Sequence, residues 1–391
     1  MPSSRLNLLV LALSQALAMT CMTMVITTVA LVGAELTPIK ELATLPLALQ
    51  LAVTMLTAIP ASLLMRRFGR RTGFSVGALA GIASALISAF AIHMGSFFLF
   101  TVSAAAYGIA QSFAGFYRFA AIESAPPERR AKAASLVLGG GVVAGLIGPT
   151  LAVFSRDLVA GSLFAGTYLS IAALSALAVL LMQGLRMPNL SGGSAQGSGS
   201  VRELLSRPVF LTAMASAAVG YASMSLVMTA TPLAMAEHHH SFPATAFVIQ
   251  WHVVAMYAPS FITGSLIHRL GVINIMLAGA VAMLATVAIN ESGTGLGEFW
   301  TALVLLGIGW NFMYVGGTTL LSQAHSPDER AKAQALNEFA MFGLITLASL
   351  SSGLLQQTVG WSWVNLAVVP GILAVALASL RLRARNPVLA P

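Results

Sequence analysis

The chain is a succession of long apolar runs separated by short polar breaks. Runs of about 20 residues or more, each long enough to cross the hydrocarbon core of a bilayer, fall at 6–32, 41–65, 73–94, 97–119, 131–154, 161–184, 207–235, 243–267, 272–290, 297–321, 331–356 and 361–381. Twelve such runs predict an all-α membrane protein with twelve transmembrane helices. The first run is too long for a signal-peptide core and lacks a small-residue cleavage site, so it is expected to stay as the first helix.

The polar breaks repeat. Pro127-Glu128-Arg129-Arg130-Ala131-Lys132-Ala133 recurs as Pro327-Asp328-Glu329-Arg330-Ala331-Lys332-Ala333, and Arg67-Phe68-Gly69 is echoed by Arg269-Leu270-Gly271. Transporters are commonly built from such related halves. The expected organisation is therefore two pseudo-symmetric six-helix bundles, residues 1–187 and 207–391, joined by a flexible Gly/Ser-rich linker over 188–206.

Composition supports the class: 57% of the residues are apolar and 8% charged, against about 25% charged in a soluble domain. The net charge of +8 would suggest nucleic acid until the charges are placed. Lys and Arg gather at Arg66, Arg67, Arg70 and Arg71, at Arg129, Arg130 and Lys132, at Arg186, Arg202 and Arg207, and at Arg269, Arg330, Lys332 and the C-terminus. All of these lie on one set of alternating loops, whereas the opposite loops hold only Lys40 and Arg156. This is the positive-inside asymmetry. It predicts a multi-pass membrane protein with both termini cytoplasmic, a lipid bilayer as surroundings, and no nucleic-acid partner.

Six plus six helices, a central polar loop and Arg66-Arg67-Phe68-Gly69-Arg70-Arg71 between the second and third helices resemble the major facilitator superfamily. The resemblance implies its fold, a non-enzymatic transport activity, and a gating role for the loop residues Arg66, Arg67, Gly69, Arg70 and Arg71. The family loop usually reads Gly-x-x-x-Asp-Arg-x-Gly-Arg-Arg. Here Ser62 stands where Gly is usual and Arg66 where Asp is usual, so a latch built on that carboxylate would be wired differently. Gly148-Pro149 in the fifth run resembles the family's Gly-Pro motif; the alternative reading is a helix-packing glycine beside a proline kink.

The middles of the runs carry no Asp, Lys or Arg, which argues against a phosphorylated or dicarboxylate cargo, because such a cargo would want Arg or Lys in its cavity. His252 is the exception, about 14 Å along the eighth helix from its start. It opens the pattern His252-x-x-x-Met256, and the preceding run carries Met224-x-x-x-Met228. Residues at i and i+4 share a helical face. Antiparallel folding about the turn near His240 would set Met224 level with Met256 and Met228 level with His252. Thioethers select Cu(I) and imidazole suits copper, so these four are the candidate metal ligands. Accessory candidates are Met22 and Cys21 on the first helix, Met235, and the His238-His239-His240 tract as a capture site on the outer loop. One cysteine excludes a Cys-x-x-Cys site or an internal disulfide.

The two spacings, in these helices and this order, resemble the CcoA-type bacterial copper importers. That resemblance implies copper uptake across the bacterial inner membrane by alternating access for haem–copper oxidase assembly, copper as cargo with no separate cofactor, and a periplasmic or cytoplasmic copper chaperone as partner. Two other functions fit the residues. One is an exporter of apolar drugs or metabolites, with Trp251, Tyr257, Trp310 and Tyr314 lining its cavity; the other is a metal-binding sensor that transports nothing.

Overall fold

The computed structural model describes residues 2–126, 130–187 and 200–385. The described part is helical: α1 (Pro2–Leu36), α2 (Leu45–Phe68), α3 (Arg70–His93), α4 (Phe97–Ala114), α5 (Tyr117–Ser124), α6 (Arg130–Ser155), α7 (Ala165–Met182), α8 (Val201–Ser206), α9 (Pro208–Glu237), α10 (Phe242–Tyr257), α11 (Ser260–Leu270), α12 (Val272–Ser292), α13 (Leu296–Gln323), α14 (Arg330–Val359), α15 (Trp361–Leu366) and α16 (Val369–Arg385). Ten spans among the described residues are long and apolar enough to cross a membrane, or eleven if the bent pair α10–α11 counts as one. The fifth predicted run appears as α6, whose apolar part, Gly139–Ser155, is shorter. This is an integral membrane protein. Most of the predicted linker (188–199) and the first copy of the repeated Pro-Glu-Arg loop (127–129) lie outside the described residues.

The chain forms two compact units, residues 1–192 with 240–254, and residues 193–239 with 255–391. In the first, α1 packs on α6 and α7, α2 on α4, and α3 on α4 and α7. In the second, α9 packs on α13 and α14, and α12 on α13 and α16. The pairings α1/α6, α3/α4 and α3/α7 thus recur as α9/α14, α12/α13 and α12/α16, as repeated halves require. The repeat extends to the backbone. Gly69 (φ 87°) and Gly271 (φ 82°) both take a left-handed turn immediately before α3 and α12, a conformation that glycine adopts without a Cβ penalty.

Close helix contact explains Gly148. A Cβ added there would lie 1.8 Å from Thr23 Oγ1 and 2.9 Å from the Thr20 carbonyl oxygen on α1. Only a hydrogen fits between α6 and α1, which is the role small residues play where membrane helices approach.

The eighth predicted span, read from sequence as one helix over 243–267, is broken. α10 and α11 meet at Ala258 and Pro259 with a bend of 44°. Proline has no N–H for the helix ladder and its ring crowds the preceding turn, so the apolar run continues while the helix does not.

Candidate functional site

The break in the eighth span is tied to α13 by one side chain. Asn311, fully buried, donates through Nδ2 to the Met256 carbonyl oxygen (2.8 Å) and the Ser260 hydroxyl (2.6 Å), and accepts from Thr263 Oγ1 (2.7 Å). The last carbonyls of a helix have no partner within it. Asn311 satisfies one at the end of α10 and holds the first turn of α11 in the same grip.

Beside it lies a cluster of four rings. Trp310 and Tyr314, one turn apart on α13, stack with centroids 5.0 Å apart and planes 7° from parallel. Tyr221 of α9 stands edge-on to both, at 5.2 Å from Trp310 and 5.8 Å from Tyr314. Tyr257, the last residue of α10, meets Trp310 at 5.9 Å and 71°. Offset and edge-to-face arrangements are what aromatic quadrupoles favour. Trp310 is buried and the three tyrosines are partly exposed. The Trp310 Nε1–H is buried and has no acceptor among the described residues.

Sequence reasoning named Tyr257, Trp310 and Tyr314 but missed Tyr221, which shares no periodicity with the others and reaches them only because α9 packs on α13. It also named Trp251, which lies on the part of α10 that belongs to the first unit. That ring is 37% exposed on α10 and contacts Phe247 edge-on at 6.4 Å.

The predicted metal ligands are all buried: Met224 and Met228 on α9, His252 and Met256 on α10. Met235 is buried in the last turns of α9. Cys21 is buried, with its Sγ 3.9 Å from the Ile171 carbonyl oxygen, and Met22 Sδ accepts from Gln50 Nε2 at 3.3 Å. His238 and His239 are exposed at the end of α9, where His239 takes a left-handed φ of 61° and His238 faces the Phe299 ring at 6.4 Å; His240 is half-buried. No group of three or more His, Cys, Asp or Glu side chains suited to a metal occurs among the described residues.

The basic loop is engaged in one ion pair and a further hydrogen bond. Arg70 grips Glu123 of α5 through Nη2 (2.6 Å) and Nε (3.2 Å), and Arg71 Nη2 donates to Gln183 Oε1 (2.7 Å). Glu123 thus carries the acidic partner that is missing at position 66. In the other unit, Arg207 at the start of α9 forms a fork to Glu329 (2.8 and 2.9 Å) and also donates to Glu203 (2.8 Å). The hydrogen bonds from Arg207, helped by the Ser326 backbone N–H, lower the Glu329 carboxyl pKa from 4.5 to about 2. The same contacts, Glu329 first and then Glu203, push the Arg207 pKa above its ordinary value.

A twice-repeated set of apolar helices, broken at one span beside an aromatic cluster, defines the class as a membrane transporter. The sequence profile of the Major Facilitator Superfamily matches residues 11–287 and again 213–391, and the chain belongs to that superfamily. It is 40% identical over 384 residues, 97% of this chain and 96% of the relative, to the riboflavin transporter RfnT of Brucella anthropi. It is also similar to two uncharacterized MFS-type transporters of Bacillus subtilis, YdeG at 27% identity (90% of this chain, 85% of the relative) and YddS at 28% (85% and 80%).

These similarities overturn the copper reading. A relative alike over nearly the whole chain handles an organic heterocycle, whereas the resemblance to copper importers rested on Met224, Met228, His252 and Met256 alone. Copper uptake, and the copper chaperones expected as partners, fall with it. The physical reason is that methionine is also an adaptable filler of apolar cores. Two Met-containing i, i+4 pairs on consecutive buried helices arise from packing as readily as from coordination.

Proposed function

We propose that this transporter carries riboflavin across a bacterial inner membrane by alternating access. The observation that carries the reading is the 40% identity to the riboflavin transporter of Brucella anthropi along 97% of the chain. The ring cluster of Tyr221, Tyr257, Trp310 and Tyr314 supports it, because a flat, uncharged, fused-ring cargo needs stacking surface rather than countercharge. On this reading the chain crosses the membrane twelve times as two bundles, 1–187 and 207–391, with both termini and the basic loops in the cytoplasm, as the charge asymmetry favours. The Arg70–Glu123 and Arg207–Glu329 pairs then brace the cytoplasmic ends of the two bundles, and Arg66, Arg67, Gly69, Arg70 and Arg71 form a gating loop closed by Glu123.

The test is transport of radiolabelled riboflavin by the purified full-length protein in proteoliposomes, and growth of a riboflavin auxotroph expressing it at limiting vitamin. Accumulation above protein-free vesicles is expected. Vesicles that neither take up nor release riboflavin, under any imposed ion gradient, would reject the cargo.

A further inference from the structure

We propose, building on riboflavin as cargo, that the cluster of Tyr221, Tyr257, Trp310 and Tyr314 is the seat of the flavin ring system, with Trp310 Nε1–H donating to a ring carbonyl, and that this seat accepts the flavin only while it is uncharged.

Three observations carry this. The first is geometric. The four rings come from α9, α10 and α13, and they alternate parallel and edge-on faces: Trp310 and Tyr314 at 7°, Tyr221 at 86° and 83° to them, Tyr257 at 71° to Trp310. A fused planar heterocycle presents the same two kinds of surface and can replace one ring–ring contact by another at little cost. The tyrosines offer the partly exposed surface and Trp310 backs them.

The second is an unmet donor. Trp310 Nε1 is buried and finds no acceptor among the described residues. A buried donor left in that condition is unfavourable, and tryptophans in apolar surroundings usually find a partner for the N–H. An isoalloxazine edge carries two carbonyl oxygens, either of which supplies the acceptor.

The third is charge. α9, α10, α12 and α13 contain no Lys or Arg. On α14, which packs on α9, Arg330 and Lys332 stand in the first turn and the exposed Glu338 lies further in. A phosphate seated among these rings would lose its water, and none of these four helices offers it a Lys or Arg. Riboflavin ends in a neutral polyol; flavin mononucleotide ends in a phosphate.

The experiment is a fluorescence titration of riboflavin with purified full-length protein, since flavin emission is quenched by stacking on Trp and Tyr. Lumichrome, the ring system without its polyol chain, and flavin mononucleotide serve as competitors. Wild type should quench riboflavin, lumichrome should compete, and flavin mononucleotide should compete at least about tenfold more weakly, as expected for an uncompensated phosphate of charge about −1.5 to −2 at pH 7. Trp310→Phe keeps the ring and deletes the donor, and should weaken binding about three- to tenfold. Tyr221→Leu, on a different helix, should weaken it by a similar factor through lost ring contact. Melting temperature in detergent identifies any variant that fails to fold. Riboflavin transport by wild type with undiminished binding in both folded variants would overturn the seat while leaving the cargo standing. Equal affinity for flavin mononucleotide would overturn the charge rule. A wild type that neither binds nor moves riboflavin would reject the cargo itself, and the seat with it.

Discussion

Asn311 Nδ2 donates to the Met256 carbonyl oxygen at 2.8 Å, at the point where the eighth span stops and restarts. The contact joins the helix that carries Trp310 and Tyr314 to the one that ends in Tyr257, so the ring cluster and the helix break are mechanically one object. A broken helix at membrane depth is tolerated where its freed polar groups are buried in protein or line a water-filled cavity, and this side chain satisfies one of the freed carbonyls.

Replacing Asn311 by Leu should therefore leave the Met256 carbonyl and the Thr263 hydroxyl without this partner and cost about 1–3 kcal/mol. A lower melting temperature in detergent, with riboflavin transport reduced further than the loss of folded protein explains, is the expected result. Asn311→Asp keeps the acceptor for Thr263 but, when ionised, turns a buried carboxylate towards the Met256 carbonyl oxygen, and should destabilise at least as much as Asn311→Leu at neutral pH.

The Arg207–Glu329 fork makes a pH prediction of definite sign. Glu329 titrates at about 2 when folded and near 4.5 when free, so its stabilising effect is fully present above about pH 4.5 and fades as the pH falls towards 2. The difference in melting temperature between wild type and Glu329→Gln should be constant from pH 5 to 7 and shrink below about 4.5. Arg207, already charged and pushed higher, contributes no change across that range.

Gly148→Ala should weaken the α1/α6 contact, because the new methyl would be forced against Thr23 Oγ1; overpacking of this kind costs about 1–3 kcal/mol. Adding Thr23→Ala removes the closest atom and should restore part of the loss, a coupling that a double-mutant cycle of thermal stabilities measures directly.

Riboflavin transport should be indifferent to copper. A Cu(I) chelator or added copper is expected to leave the rate unchanged in proteoliposomes, and cells expressing the wild-type protein or His252→Gln are expected to accumulate copper alike, at the level of untransformed controls. A chelator that abolished riboflavin uptake would reopen a role for the Met224, Met228, His252 and Met256 group.

Much of the fold was legible because its causes are local. Twelve apolar runs, the copied basic loops and the paired glycines Gly69 and Gly271 each follow from the covalent chain and the bilayer alone. The Pro259 break was legible in principle, since a proline stands inside an otherwise helical run, but hydropathy averages over such a residue. The cargo was misread for a different reason. Spacing on one helix says which side chains share a face and nothing about what that face meets, so Met224-x-x-x-Met228 and His252-x-x-x-Met256 looked like a ligand set.

What the sequence determined by itself was the class of environment, the helices and their doubling, because burying backbone polar groups in lipid leaves helices as the only solution for such runs. What the tertiary structure alone decided was which side chains from different helices became neighbours. Tyr221 joins Trp310, and Asn311 reaches Met256, through packing between α9, α13 and the broken span, and helix packing depends on surface shape summed over many residues, which no spacing rule along a single helix encodes.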